Sequence, residues 1–240
     1  MFLSVIIPAF NEAHRIGSTL KSTLSFLSGQ NYEYEILVVN DGSTDETSHI
    51  VAHIQKQAPA VKLLDNKTNR GKGWAVRQGM LEARGDIRLF MDADNSTSIS
   101  QIAGFVPYFE EGYAVVIGSR RIAGAQIAQH QPLVRDFLGG IFRLIVRALV
   151  PLHVIDSQAG FKAFTAEAAI AIFERQTVFR WAFDVELLAI ARRLQFKIKE
   201  IPIRWVNDLE SKVKFWGMIG MLGELIKIRI NLWRGRYQGI

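Results

Sequence analysis

Two carboxylates one residue apart, Asp92 and Asp94 in Phe90-Met91-Asp92-Ala93-Asp94-Asn95, follow an apolar run that reads as the end of a buried strand. Alternation along a strand sends positions i and i+2 to one face, so both side chains are expected to point the same way. Paired hard oxygens suit Mg²⁺ or Mn²⁺, and a cation held by one or two carboxylates commonly completes its shell with substrate phosphates. A turn whose aspartates bond their own backbone explains the same residues more plainly. The position of the pair among other polar strand ends separates the two readings.

Pro8-Ala9-Phe10-Asn11-Glu12 and Asn40-Asp41-Gly42-Ser43-Thr44-Asp45 each follow a β-branched run. Asp41 stands where a carboxylate can accept bonds from ribose hydroxyls or a base edge, although Asp41-Gly42-Ser43 also makes a good turn and helix cap. Asn69-Arg70-Gly71-Lys72-Gly73 joins glycine flexibility to two cations ahead of a helix. Such a loop can bring backbone amides and a lysine to a diphosphate, or be an ordinary basic surface loop. Neither the Gly-x-Gly-x-x-Gly turn of dinucleotide-binding domains nor a P-loop is present. His49 and His53, one helical turn apart, lack a third ligand and read as an exposed helix face.

These residues need a scaffold. The chain has 240 residues, of which 49% are hydrophobic, enough for one α/β domain with a full core. It has no cysteine, which excludes disulfides and thiolate zinc sites. A net charge of +6 suits an anionic partner: nucleic acid, lipid headgroups or a phosphorylated substrate. The basic residues do not gather around stacking aromatics, so a nucleic-acid surface is not expected. The opening Met1–Pro8 segment lacks a basic n-region and reads as a first strand, not a signal peptide. The apolar stretches near 137–155 and 215–233 are broken by charges and should not span a bilayer.

Strands are expected at Leu3–Pro8, Glu35–Asn40, Val61–Asp65, Asp86–Asp92 and Ala114–Ser119, with helices at Ala13–Leu27, Thr44–Gln57 (capped by Ser43 or Thr44) and Gly73–Ala83 between them. The alternation predicts a mostly parallel sheet, whose ligand sites gather outside the carboxyl ends of the strands. Helices follow at Phe137–Val150, Ala166–Glu174, Phe183–Leu194 and Phe215–Trp233, with a strand at Lys197–Trp205.

In order and spacing, Val5-Ile6-Ile7-Pro8-Ala9-Phe10-Asn11-Glu12, Val39-Asn40-Asp41-Gly42-Ser43 and Asp92-Ala93-Asp94 resemble the family 2 glycosyltransferases over nearly the whole chain. The resemblance implies the nucleotide-sugar-binding GT-A fold as one domain, with 1–120 holding the nucleotide-sugar and 121–240 the acceptor and the membrane interface. It implies a nucleotide pocket lined by Pro8, Ala9, Asn11, Glu12, Asn40 and Asp41, with Lys72, Gln158 and Lys212 also touching the donor. Asp92 and Asp94 would hold the metal. The second half resembles the dolichyl- and polyprenyl-phosphate sugar transferases. Ile117-Gly118-Ser119-Arg120 and Arg135 match their acceptor-phosphate arginines. Asp156-Ser157-Gln158-Ala159-Gly160-Phe161-Lys162 matches the glucose-transferring branch, and Trp181–Glu186 and Glu210–Val213 continue the match. Ser96 replaces a glutamine common in mannose transferases, which favours UDP-glucose over GDP-mannose.

That likeness implies a single inverting displacement at a membrane surface. Arg120 and Arg135 would orient an already ionised phosphate, so no strong base is needed, and Asp184, where hydroxyl-acceptor members keep a base, would organise the site. Arg135, Gly139, Arg143 and Arg147 recur every fourth residue on an apolar helix, and the last helix mixes apolar bulk with basic and aromatic ends. Amphipathic helices of this kind suit a peripheral seat on the cytoplasmic face of a membrane, although core helices with snorkelling arginines read similarly. Self-association is open. A soluble hydroxyl acceptor, or binding without turnover, are the competing functions.

Overall fold

The computed structural model describes residues 1–128, 133–206 and 215–238. In chain order its first half runs β1 (Phe2–Ala9), α1 (Ile16–Leu27), β2 (Glu33–Asp41), α2 (Thr47–Gln57), β3 (Val61–Asn66), α3 (Lys72–Glu82) and β4 (Ile87–Met91). A short 3₁₀ turn (Ile99–Gly104) leads to α4 (Val106–Glu110), β5 (Val115–Ser119) and β6 (Gln126–Ile127). The second half holds α5 (Leu133–Leu149), β7 (Phe161–Thr165), α6 (Ala166–Glu174), α7 (Phe183–Arg193), β8 (Ile198–Pro202), β9 (Arg204–Trp205) and α8 (Phe215–Trp233).

Seven strands form one sheet in the order β3-β2-β1-β4-β7-β5-β8. All neighbours are parallel except β7, which runs antiparallel to β4 and β5 on either side. Strands covered on both faces need apolar residues at odd and even positions alike, which explains their continuous apolar runs. On one face Leu3, Val5, Ile7, Leu89 and Met91 pack under Ile16, Leu20 and Val51 of α1 and α2. On the other, Ile6, Val39, Phe90 and Phe164 pack under α3, α6 and α7, with Met221 and Leu225 of α8 beyond.

Several expectations need correction. β4 stops at Met91, so Asp92 and Asp94 lie in the following turn, and strand alternation does not set their direction. Neither Ser43 nor Thr44 caps α2; the Asp45 carboxylate accepts the Thr47 N–H at 3.0 Å instead. The strand foreseen over Lys197–Trp205 divides: Pro202 ends β8, and Ile203 donates to the Ser119 carbonyl before β9 joins β6 in a separate ladder. β7 was not foreseen at all.

Candidate active site

The loops after β1 and β2 are fastened to each other before any ligand arrives. Asn11, held at a φ of 54°, donates its N–H to Ser43 Oγ and accepts the Thr44 N–H at 2.8 Å. Glu12 donates to Thr47 Oγ1, and Ala13 to the Asp45 carboxylate. Asn40 donates to Asp65 Oδ1 and receives the Ser43 hydroxyl. Pro8 and Ala9 are buried at the carboxyl end of β1, beneath these loops. The sequence-predicted pocket residues from β1 and β2 are therefore gathered at one edge of the sheet.

Asp41 is buried, and its two carboxylate oxygens accept the N–H groups of Arg70, at 2.9 Å, and Gly71, at 2.8 Å. It anchors the Asn69–Gly73 loop from within. Gly71 has a φ of 107°, and a Cβ there would meet the Phe179 carbonyl oxygen at 2.4 Å, so the loop turns into α3 where only glycine fits. That turn delivers Lys72, whose Nζ lies 2.5 Å from Asp92 Oδ1. Burial alone would lower the Lys72 pKa, but the charges of Asp92, Asp184 and Asp94 outweigh it and hold the ammonium above its ordinary value.

Asp94 accepts the Ser96 N–H at 2.9 Å, so the self-bonding turn is present alongside the carboxylate pair. Burial, and then the charge of Asp92, push its carboxyl above the ordinary range. A cation would relieve both effects. Asn95 Oδ1 next to it is buried without a hydrogen-bond partner among the described residues. No group of three or more His, Cys, Asp or Glu is placed to hold a metal ion among the described residues. Two carboxylates this close in the chain fit a hard divalent cation that shares its shell with phosphate oxygens.

Arg120 leaves the end of β5 and grips Asp156 through two parallel bonds, Nε to Oδ2 and a terminal nitrogen to Oδ1, both 2.8 Å. Its own N–H also reaches Asp156, and its guanidinium centre lies 5.3 Å from the Trp205 ring centre. Burial opposes the charge of Arg120, but Asp156, and then Asp92 and Asp184, hold the proton more tightly than usual. Burial would likewise raise Asp156, and the bonds and charge of Arg120 hold it below the usual range. Arg120 is thus paired within the protein while its field reaches Asp92 and Asp184. The side chain of Arg135, on α5, and the whole of Lys212 lie outside the described residues. Gln158 is half-buried in the loop before β7 and makes no hydrogen bond to another described residue.

On β7, Lys162 Nζ lies 2.5 Å from Asp184 Oδ1 and also donates to the Ala159 carbonyl. Burial pushes the aspartic acid up and the ammonium down, and each partner's charge opposes that. Gly160, between those groups, packs so tightly on Asp92 that a Cβ would fall 1.9 Å from Oδ2. The roles of Gly160, Lys162 and Asp156 were missed from sequence, although one lysine inside Phe161-Lys162-Ala163-Phe164 was a usable signal.

The 176–182 segment ties this floor to α8. Glu224 accepts the N–H groups of Arg180, Trp181 and Ala182 just ahead of α7. Glu186 accepts from Thr177, Val178 and the Tyr237 hydroxyl, and Asn231 joins Thr177 to Tyr237. Phe179 in turn receives the Trp74 N–H and walls Gly71.

A model of the family described as Glycosyl transferase family 2 matches residues 4–173. The chain belongs to that family. It is a glycosyltransferase with the GT-A fold expected from its sequence. A dolichyl-phosphate beta-glucosyltransferase of Trichomonas vaginalis is 40% identical over 253 residues, covering 98% of this chain and 76% of that protein. The Homo sapiens protein of the same description is 34% identical, over 98% of this chain and 77% of its own length. Among solved structures, glucosyl-3-phosphoglycerate synthase from Mycobacterium tuberculosis, in complex with Mn²⁺, UDP-glucose and phosphoglyceric acid, superposes with a TM-score of 0.70. At 19% identity, covering 98% of this chain and 79% of that one, it shares the fold.

Proposed function

We propose that this chain transfers glucose from UDP-glucose to a dolichyl or other polyprenyl phosphate, with inversion, at the cytoplasmic face of a membrane. The observation that carries this reading is the Lys72–Asp92 contact beside Asp94, set at the carboxyl edge of the sheet next to the zipped β1 and β2 loops. The donor sugar and the lipid acceptor are supported by relatives whose descriptions name both over nearly all of this chain. Residues 1–120 hold the donor and 121–240 the acceptor and the membrane contact.

Pro8, Ala9, Asn11, Glu12, Asn40 and Asp41 shape the nucleotide pocket, Asp41 by fixing the Arg70–Lys72 turn. Gln158 and Lys212 complete the donor contacts. Mg²⁺ or Mn²⁺ held by Asp92 and Asp94 would supply Lewis-acid stabilisation of the diphosphate. Lys72 adds a preorganised positive charge where the leaving group gains negative charge. Arg120, steadied by Asp156, and Arg135 orient the acceptor phosphate behind the anomeric carbon, an effect of position. The bond from that carbon to the acceptor oxygen forms as the bond to the UDP oxygen breaks, and no proton needs to move.

Membrane attachment is supported by α8. Leu222, Ile226, Ile230 and Trp233 form one exposed apolar stripe, flanked by exposed Lys227, Arg229, Arg234 and Arg236. No helix of the described residues is long and apolar enough to cross a membrane. Incubating the protein with labelled UDP-glucose or GDP-mannose, polyprenyl phosphate in detergent and Mg²⁺ tests the reading. Label should enter the lipid phase from UDP-glucose alone and disappear with chelator. Entry from GDP-mannose overturns the donor, and no lipid label from UDP-glucose overturns the reading.

A further inference from the structure

Lys162 occupies a position from which it cannot touch a substrate. β7 is hydrogen-bonded on both sides, and no part of Lys162 is exposed (0%). Its ammonium is enclosed by Asp184, the Ala159 carbonyl and the face of Phe90, 5.3 Å from the ring centre. A buried cation flanked by apolar strand residues is costly unless its partner needs it. That partner, Asp184, belongs to the same electrostatic cluster as Lys72, Asp92 and Arg120.

We propose that Lys162 determines acceptor specificity by locking Asp184 into a closed ion pair, which denies the site a general base and leaves only oxygens that are already ionised able to attack. This rests on the phosphate-acceptor reading above. A hydroxyl or water must give up its proton as its oxygen bonds to the anomeric carbon and the UDP oxygen departs with the electron pair of the broken bond. Of the carboxylates at this site, Asp92 and Asp94 are read as metal ligands and Asp156 is held by Arg120, which leaves Asp184 to take that proton. Taking that proton turns it neutral and leaves the buried Lys162 ammonium with the Ala159 carbonyl but without the counter-charge it touches. The penalty is on the order of 10²- to 10³-fold in rate. A phosphate oxygen attacks without releasing a proton and escapes the penalty. The lock also prevents loss of UDP-glucose to hydrolysis.

The test compares wild type, Lys162→Met, Lys162→Arg and the double variant Lys162→Met/Asp184→Asn. Each is given labelled UDP-glucose with either polyprenyl phosphate or the polyprenol of the same length, in one detergent, and free glucose is measured alongside. Wild type should glucosylate the phosphate at least about 100-fold faster than the alcohol. Lys162→Met should shift the ratio of alcohol plus water products to phosphate product upward by about tenfold or more. Lys162→Arg should keep the wild-type ratio, and adding Asp184→Asn should remove the new products.

A parallel fall of all products in Lys162→Met, with the ratio unmoved, overturns the inference. So does a wild-type enzyme that uses the alcohol as readily as the phosphate, a result that does not depend on any variant folding. Absence of wild-type transfer to polyprenyl phosphate would instead overturn the proposed function, and this inference with it.

Discussion

At Gly160 a side chain is missing because Asp92 lies where its Cβ would be, 1.9 Å from Oδ2. Gly160→Ala must therefore displace the carboxylate that meets Lys72. A shift near 1 Å in a reacting group costs about 10²-fold, and kcat is expected to fall by roughly that factor. Steady-state kinetics beside a thermal unfolding curve checks this: the melting temperature should move far less than the rate. Asp94→Asn should split stability from activity in the other direction. Removing a half-buried charge next to Asp92 raises the urea midpoint in chelator, while turnover drops at least about 10³-fold. Motifs contiguous in the chain, such as Asp92-Ala93-Asp94 and Gly118-Ser119-Arg120, could be read from sequence. The partners of those residues could not. Lys162 meets Asp184 and Arg120 meets Asp156 across 22 and 36 residues, and closeness to an absent side chain leaves no mark in composition.

Helices and strands carry the next level. The alternating first half was legible because β-branched runs, polar strand ends and helical spacing agree there, and most observed bounds lie within three residues of those expected. β7 escaped because it is short, with a lysine in its interior and a glycine before it, so its residues read as a loop motif. At the opposite end of the strands from Asp41 and Asp92, Glu35 gathers Ser4, Lys62 and Arg84 and so joins β1, β2, β3 and the turn before β4. Burial would raise its pKa, but Lys62, the Arg84 N–H and Ser4 together hold it below the ordinary value. The folded state then binds the Glu35 proton more weakly than the unfolded chain does. Its stabilisation is complete above the unfolded value of about 4.3 and is lost as pH falls through the lower folded value. Glu35→Gln is expected to cost about 1–3 kcal/mol at pH 7 and to flatten the acid limb of stability against pH, with turnover per folded molecule retained. Urea unfolding between pH 3 and 7 reads both effects. Glu224→Ala should differ in its effect on turnover, lowering kcat by loosening the segment that walls Gly71 and leads to Asp184. A stability loss of about 1–2 kcal/mol should accompany it, read by urea unfolding.

For the molecule as a whole, α8 faces two ways. Met221, Leu225 and Ile228 are core, whereas Ile226, Ile230 and Trp233 stand 52%, 40% and 82% exposed. The same division applies to α5, where Phe142 and Val146 pack inward and Leu144 projects outward. Sequence reading found these helices but could not divide their apolar residues between the core and the surface, because both uses select the same side chains. Replacing Ile226 and Ile230 with Ser should weaken sedimentation with anionic vesicles several-fold and raise the KM for long-chain acceptor, leaving hydrolysis-independent donor binding intact. β7 imposes a further condition on how this chain can vary. Gly160 and Lys162 owe their positions to a strand pinned between β4 and β5. Adding one residue between Ser157 and Gly160 either buckles the loop against Asp92 or slips the strand by one place, which would swap Lys162 with a neighbour on the other face of the sheet. Length in that loop is therefore held by parity, like teeth on a gear. Variation in loop length should be confined to connections whose ends are not both anchored this way.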